Sequence, residues 1–302
     1  MLLTRFNLPS HGHESLIREQ ENWLRNRVAL FERYCLPSVA AQTCRDFSWI
    51  IYFDPQSPRW LREWIADHER QGHFWAIFRA EVPRTDLIGD IRTVVDEPHG
   101  AEPRTTTAEP RTTTAELLTT NLDNDDSIAV DFVARLQAVE RVGERSAVYL
   151  ADGVICRGDR LYRRVDRYNA FCSVRETWAQ PITCWATWHN LLRDLMPTVV
   201  LRGTPGWLQV VHGANVSNRV RGRLTGVARH RAAFPGLLDA LPEPTVTRRA
   251  RDALVAVSVR TLREGGRAAA KAALTRVAGK RGIDRVKLLL ARARHPTAWY
   301  RR

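Results

Sequence analysis

Residues 47–53 read FSWIIYF, a run that is apolar on both faces and bounded by Asp46 on one side and by Asp54-Pro55 on the other. A short run without polar alternation predicts a central strand of a parallel sheet, covered on both sides, rather than an edge strand. Residues 4–8 are apolar enough for a first strand, and a polar loop with His11, Gly12 and His13 follows. Trp23, Val28, Phe31 and Cys35 fall near helical spacing, and Pro37 predicts a break or kink after them. Residues 60–71 read as a second helix and residues 74–78 as another buried strand. Alternation of helix and strand predicts an open α/β sheet.

Further along, residues 117–122 read as a strand that runs into Asp123, Asn124, Asp125 and Asp126. Ile128, Phe132, Val133, Leu136 and Val139 then recur at helical spacing, with Asp126 or Ser127 placed to cap a first turn. Residues 147–150, 198–201 and 207–211 read as later strands. From residue 245 the pattern is helical, with apolar stripes of Leu254, Val257 and Leu262, then Ile283, Val286 and Leu290. Gly265-Gly266 and residues 279–282 divide it. Residues 101–114 are a tandem copy of AEPRTTT, too short and too few for a stacked repeat. We read 100–116 as a flexible duplicated loop within a domain spanning 1–244, followed by a basic helical tail at 245–302.

With 302 residues and 44% hydrophobic content, the chain can bury one large core. No stretch approaches the roughly 18–20 apolar residues that span a bilayer, and residues 1–8 are too short and polar for a signal peptide. The expected compartment is the cytoplasm. Five scattered cysteines without a C-x-x-C pair predict buried reduced thiols. The net charge of +13 resembles a nucleic-acid signature until it is located. Residues 245–302 hold 16 of the 46 basic and 3 of the 33 acidic residues, which leaves the rest of the chain balanced.

Between Arg111 and Arg135 no basic residue occurs, although Glu116, Asp123, Asp125, Asp126 and Asp131 fall there. Carboxylates this close repel one another unless a cation or protonation offsets their charge. Mg²⁺ or Mn²⁺ would do so, since both take one or two carboxylates together with substrate phosphates. The run follows a strand and precedes a helix, and ligands of open α/β sheets sit outside the carboxyl ends of the strands. A metal there could bridge a diphosphate and stabilise its departing charge. The alternative is a capped turn in which Asp126 serves the helix. A helix-loop-helix calcium site does not fit, because its glycine would fall at Ile128 and its bidentate glutamate at Ala134.

Two stretches together carry a family resemblance. Residues 38–58 (SVAAQTCRDFSWIIYFDPQSP) are similar to the segment of GT-A glycosyltransferases in which a helix ends in Gln-Thr and a strand closes on Asp. Residues 118–127 (LTTNLDNDDS) resemble the strand and D-x-D motif of the same enzymes. More narrowly, TRFNL, LFERYCLPSV, TTNLDNDD, FCSVRE and WLQVVHGANVSN make residues 1–222 resemble the putative rhamnosyltransferase family of bacteria. The resemblance implies a GT-A-like Rossmann-type α/β/α sandwich with a mostly parallel central sheet, a nucleotide-sugar donor and a divalent metal, Mn²⁺ or Mg²⁺. It implies Asp125 as first metal ligand, with Asp123 on ribose or metal and His212 near the metal or diphosphate. Asp54, Asn124 and Arg5 are expected around the donor. By itself His212 also fits a strand-end histidine without a metal role.

An inverting transfer needs a carboxylate to take the acceptor's hydroxyl proton. Glu176 in FCSVRE is the expected base, with Asp152 in reserve. The alternative for Glu176 is a salt bridge to Arg175 or Arg193. The motifs of P-loop, dinucleotide, serine-hydrolase and zinc-protease enzymes are absent. The expected reaction is therefore sugar transfer, with L-rhamnose from dTDP-rhamnose implied by the family label, to a cell-surface glycan or lipid-linked acceptor. For the tail, an anionic membrane surface suits apolar stripes flanked by arginine, with the protein peripheral on the inner face of the cell membrane. Nucleic acid is disfavoured because interleaved aromatics are missing. The rival reading is a non-catalytic binding protein that acts through this tail.

Overall fold

The computed structural model describes residues 1–9, 22–96, 116–212 and 220–256. In chain order the first strands are β1 (Leu2–Arg5), β2 (Trp49–Phe53), β3 (Trp75–Phe78), β4 (Leu117–Asn121), β5 (Ser127–Ile128) and β6 (Arg145–Leu150). Then come β7 (Asp152–Arg157), β8 (Arg160–Val165), β9 (Ser173–Glu176), β10 (Thr198–Leu201), β11 (Trp207–Val210) and β12 (Arg223–Leu224). Among the described residues they form two sheets, ordered β10-β6-β9-β4-β1-β2-β3 and β12-β8-β7-β11-β5. The first is parallel throughout except for β9, which runs antiparallel to both β4 and β6.

All five residues of β2 are buried between β1 and β3, as FSWIIYF predicts. Its alternate side chains feed two different cores. Trp49, Ile51 and Phe53 pack with Leu2, Phe31, Leu61 and Ile65 on one face, whereas Ile50 and Tyr52 pack with Leu3, Leu87, Ile91 and Val94 on the other. The first face is covered by α1 (Trp23–Leu30), α2 (Leu36–Ala40) and α3 (Arg59–Arg70), the second by α4 (Arg84–Asp96). The expected α/β/α layering around a mostly parallel sheet is therefore present.

Several local expectations change. Of the break or kink expected at Pro37, the break does not occur: α1 and α2 are joined by a π-helical segment, Phe31–Cys35, after which Leu36 N bonds to Phe31 O. The wider turn accommodates a proline that has no N–H to give and would crowd the preceding turn. β3 is an edge strand with Phe78 exposed, not a buried one; the buried aromatic is Phe74, just before it. The acidic run does not lead directly into a helix. Ser127–Ile128 pairs antiparallel with β11, and α5 (Phe132–Gln137) begins only after Asp131.

The second sheet had no counterpart in the sequence reading beyond β11. Val154, Cys156, Leu161, Leu208 and Val210 line its far face against Phe234 and Leu238. Its near face, with Gly153, Ile155, Trp207 and Gln209 in register, turns toward the first sheet. At the start of the cationic segment, Thr245 caps α6 (Val246–Arg251), and Asp252 Oδ2 accepts from Leu224 N at 2.8 Å, tying this part to β12. The rest of the tail and the AEPRTTT copies lie outside the described residues. Among the described residues, no helix is long and apolar enough to cross a membrane.

Candidate active site

The carboxyl ends of β1, β2, β4 and β6 share one edge of the first sheet, because these strands are mutually parallel. Antiparallel β9 brings its amino end, and the loop before it, to the same edge. A cleft of about 700 Å³ opens between this edge and the near face of the second sheet. Arg5, Asn121 and Asp123 line it from the edge, Ile155, Trp207 and Gln209 from the second sheet, and Asp166, Trp185, Trp188 and His189 from connecting segments.

The acidic run stitches the two sheets together. Asp126 is fully buried; its Oδ1 accepts from Val210 N at 2.8 Å, and its Oδ2 has no hydrogen-bond partner. Burial, followed by the neighbouring Asp125 and Asp123 charges, pushes its pKa well above the usual carboxylate range, so Asp126 is a neutral strut and caps no helix. Asp125 has the opposite environment. Burial would raise its pKa, but the hydrogen bond from His212 and the charge of Arg27 outweigh it and hold the group ionised. His212 Nε2 lies 2.8 Å and Arg27 Nη1 2.9 Å from Asp125 Oδ2. Asp123 reaches the cleft with an exposed side chain and accepts from Asn121 Nδ2 at 3.3 Å. The surrounding walls, then Asp125, raise its pKa. Its open face on the cleft lets water limit that rise.

Arg5 lies in the cleft with its guanidinium 4.0 Å from the centre of the Trp185 ring, and the Trp185 indole N–H donates to Asn121 Oδ1 at 2.7 Å. Asn124 is not available to a donor. Its Nδ2 donates to Phe6 O at 2.7 Å and its Oδ1 accepts from Arg27 at 2.9 Å, so it clamps the acidic turn onto β1 and α1. Asp54 sits on the same carboxyl edge beyond β1, outside the cleft lining, where its Oδ1 accepts from Gln56 N and closes a turn.

The two carboxylates expected to act as base do not reach the cleft. Glu176 pairs with Leu117 at the start of β4, so it occupies the opposite edge of the sheet, roughly 20 Å of strand away from Asp123. It is buried, accepts from Ile182 N and Thr183 N, and stands 3.8 Å from Arg145 rather than pairing with Arg175 or Arg193. Asp152 shares the face of β7 that carries Val154 and Cys156, which points away from the cleft. There it accepts from Arg163, Arg202 and Gly203 N. The carboxylates that do line the cleft are Asp123 and Asp166. Asp166 follows β8, and its N–H donates to Ala151 O at the end of β6. No motif marks it; only the direction of β9 brings the segment between β8 and β9 to this edge.

A profile of the family described as "Putative rhamnosyl transferase" matches residues 1–224. The chain belongs to this family. Every cleft residue described above falls within the span shared with the rhamnosyl transferase family, and the cationic tail falls outside it. Among solved structures, the crystal structure of S. aureus TarS aligns over 70% of this chain and 37% of that one, with 12% sequence identity and a TM-score of 0.33. No curated protein matches.

Proposed function

We propose that this member of the rhamnosyl transferase family moves a sugar from a nucleotide-sugar donor to a glycan or lipid-linked hydroxyl, with inversion at the anomeric carbon. The observation that carries the reading is Asp123 lining a cleft on the carboxyl edge beside Arg5, with the Asp125–His212 pair two residues along the same acidic run. The family label favours L-rhamnose on dTDP as the donor.

The donor set fits a divalent cation. Asp125 Oδ2 lies 2.8 Å from His212 Nε2, and Asp123, two residues away in sequence, presents oxygen to the cleft. Among the described residues no three such side chains cluster closely enough to hold a metal alone. An Mg²⁺ or Mn²⁺ ion held by one or two carboxylates would take its remaining ligands from substrate phosphates and water. Asp125, His212 and Asp123 would hold the ion, which when bound supplies Lewis-acid stabilisation to the departing diphosphate. Arg5 adds a second positive charge beside the same phosphates.

Asp166 is the base in this reading. Asp123 follows β4 and Asp166 is tied through its N–H to Ala151 at the end of β6; these two strands are two spacings apart, about 10 Å, which leaves room for one sugar ring between diphosphate and base. An Asp166 carboxylate oxygen takes the acceptor O–H proton while that oxygen bonds to the anomeric carbon. The anomeric C–O bond to phosphate breaks, and its electron pair leaves on the nucleoside diphosphate.

The test is calorimetric titration with dTDP-rhamnose, UDP-glucose and GDP-mannose, each with and without Mn²⁺, for the wild type and Asp125→Asn. Metal-dependent binding of one donor that the substitution removes is the expected result. Failure of every donor to bind would overturn the proposal.

A further inference from the structure

Trp188 is 68% exposed, although a tryptophan has more to gain from burial than any neighbouring side chain. Its position is fixed. It caps the 3-10 segment His189–Asp194, which is anchored by fully buried Leu192, by Leu191 N bonding to Trp188 O at 2.8 Å, and by the Tyr149 hydroxyl donating to His189 O. The other two cleft tryptophans are committed. Trp185 carries Arg5 on its ring and donates to Asn121, and Trp207 is buried, stacked on Phe171 and bonded to Leu150 O. Trp188 instead presents its indole at the cleft, in the company of Asp166, Thr187 and His189.

We infer that Trp188 is the platform of an acceptor-sugar subsite: the C–H face of a pyranose stacks on its indole while Asp166 and His189 meet the ring's hydroxyls. This rests on the glycosyltransferase reading above. The chemistry selects the occupant. An aromatic face attracts the weakly positive C–H edge of a ring through its quadrupole, and hydroxyls on the same ring need polar partners around the rim. A lipid chain would desolvate His189 and the Asp166–Arg164 ion pair, at a cost that an apolar contact does not return. The location agrees, because Asp123 and Arg5 occupy the donor end, and Trp188 stands with Asp166, where the attacking hydroxyl must arrive.

The test uses saturation-transfer NMR on the full chain with methyl α-L-rhamnopyranoside and methyl β-D-galactopyranoside as probes, and calorimetry with the donor panel on the same samples. The wild type should transfer saturation to the ring C–H protons of at least one glycoside. Trp188→Ala should reduce that signal at least about fivefold, Trp188→Phe should retain part of it, and donor affinity should change less than about twofold. Absence of a glycoside signal in the wild type, or an equal signal in Trp188→Ala, overturns the subsite. If no donor binds while the glycoside contact at Trp188 is seen, the donor assignment fails and the saccharide subsite stands.

Discussion

His212 Nε2 and Asp125 Oδ2, 87 residues apart in sequence, meet at 2.8 Å because β11 passes directly beside the acidic turn that follows β4. Arg27 Nη1 holds the same oxygen at 2.9 Å, so Asp125 has a fixed direction before any ligand arrives. Fixed carboxylate geometry is what a metal-assisted site needs, since it avoids reorganisation during the reaction. Asp125→Asn and His212→Ala should each lower donor affinity in Mn²⁺ at least about tenfold, the scale seen when metal-site partners are lost. Affinity without Mn²⁺ should change little. Calorimetry with and without the ion reads both.

The placement of the carboxylates predicts a division of labour between two substitutions. Asp166→Asn should lower the transfer rate by about 10²–10⁴-fold with donor affinity retained, the usual contribution of a general base. Glu176→Gln should leave the rate per folded molecule within a few-fold, because its side chain lies at the opposite edge. It should instead lower stability by about 1–3 kcal/mol, since the new amide places a donor where Ile182 N and Thr183 N already point as donors. Initial rates and chemical unfolding on both variants separate the effects.

Gly153 faces Trp207 across the β7–β11 pair, and a Cβ there would fall 2.1 Å from the indole. Trp207 is stacked on Phe171 and its indole N–H donates to Leu150 O, so the ring can yield only by giving up these contacts. Gly153→Ala should destabilise the protein by about 1–3 kcal/mol or more through overpacking. It should also shift tryptophan emission, because the displaced ring forms part of the cleft wall.

His230 is buried with Nε2 3.1 Å from Thr225 Oγ1. Burial first, then the Arg229 and Arg163 charges, lower its pKa to about 4. In the unfolded chain the value returns to about 6.5, so between these limits the unfolded state binds a proton that the folded state excludes. Stability should therefore fall as pH drops through that window, by about 2 kcal/mol between about pH 7 and pH 5 from this group. Urea unfolding at both pH values, compared with His230→Gln, should show the wild type losing more stability than the variant.

Much of the scaffold was legible in the chain itself. FSWIIYF determined a central parallel strand because a segment apolar on both faces has nowhere else to go. The charge inversion around residues 123–126 marked the edge where the cleft opens. Cys35, Cys156, Cys172 and Cys184 are buried and unpaired, as their scatter implied. Residues 127–131, however, share the apolar spacing of a helix, and only the neighbouring β11 converts Ser127–Ile128 into a strand.

Roles within the site were decided by tertiary structure alone. Sequence spacing carries the period of a strand, but neither its direction nor which of its faces meets the cleft. Antiparallel β9 therefore removed Glu176 to the far edge and delivered Asp166 to the near one. The alternation of β7 turned Asp152 away from the site and Ile155 into it. Local pattern fixes a fully buried strand such as β2 because burial is a local demand on side chains. The partners of a carboxylate are set by which distant strand lies alongside, and that follows only from the packing of the whole sheet.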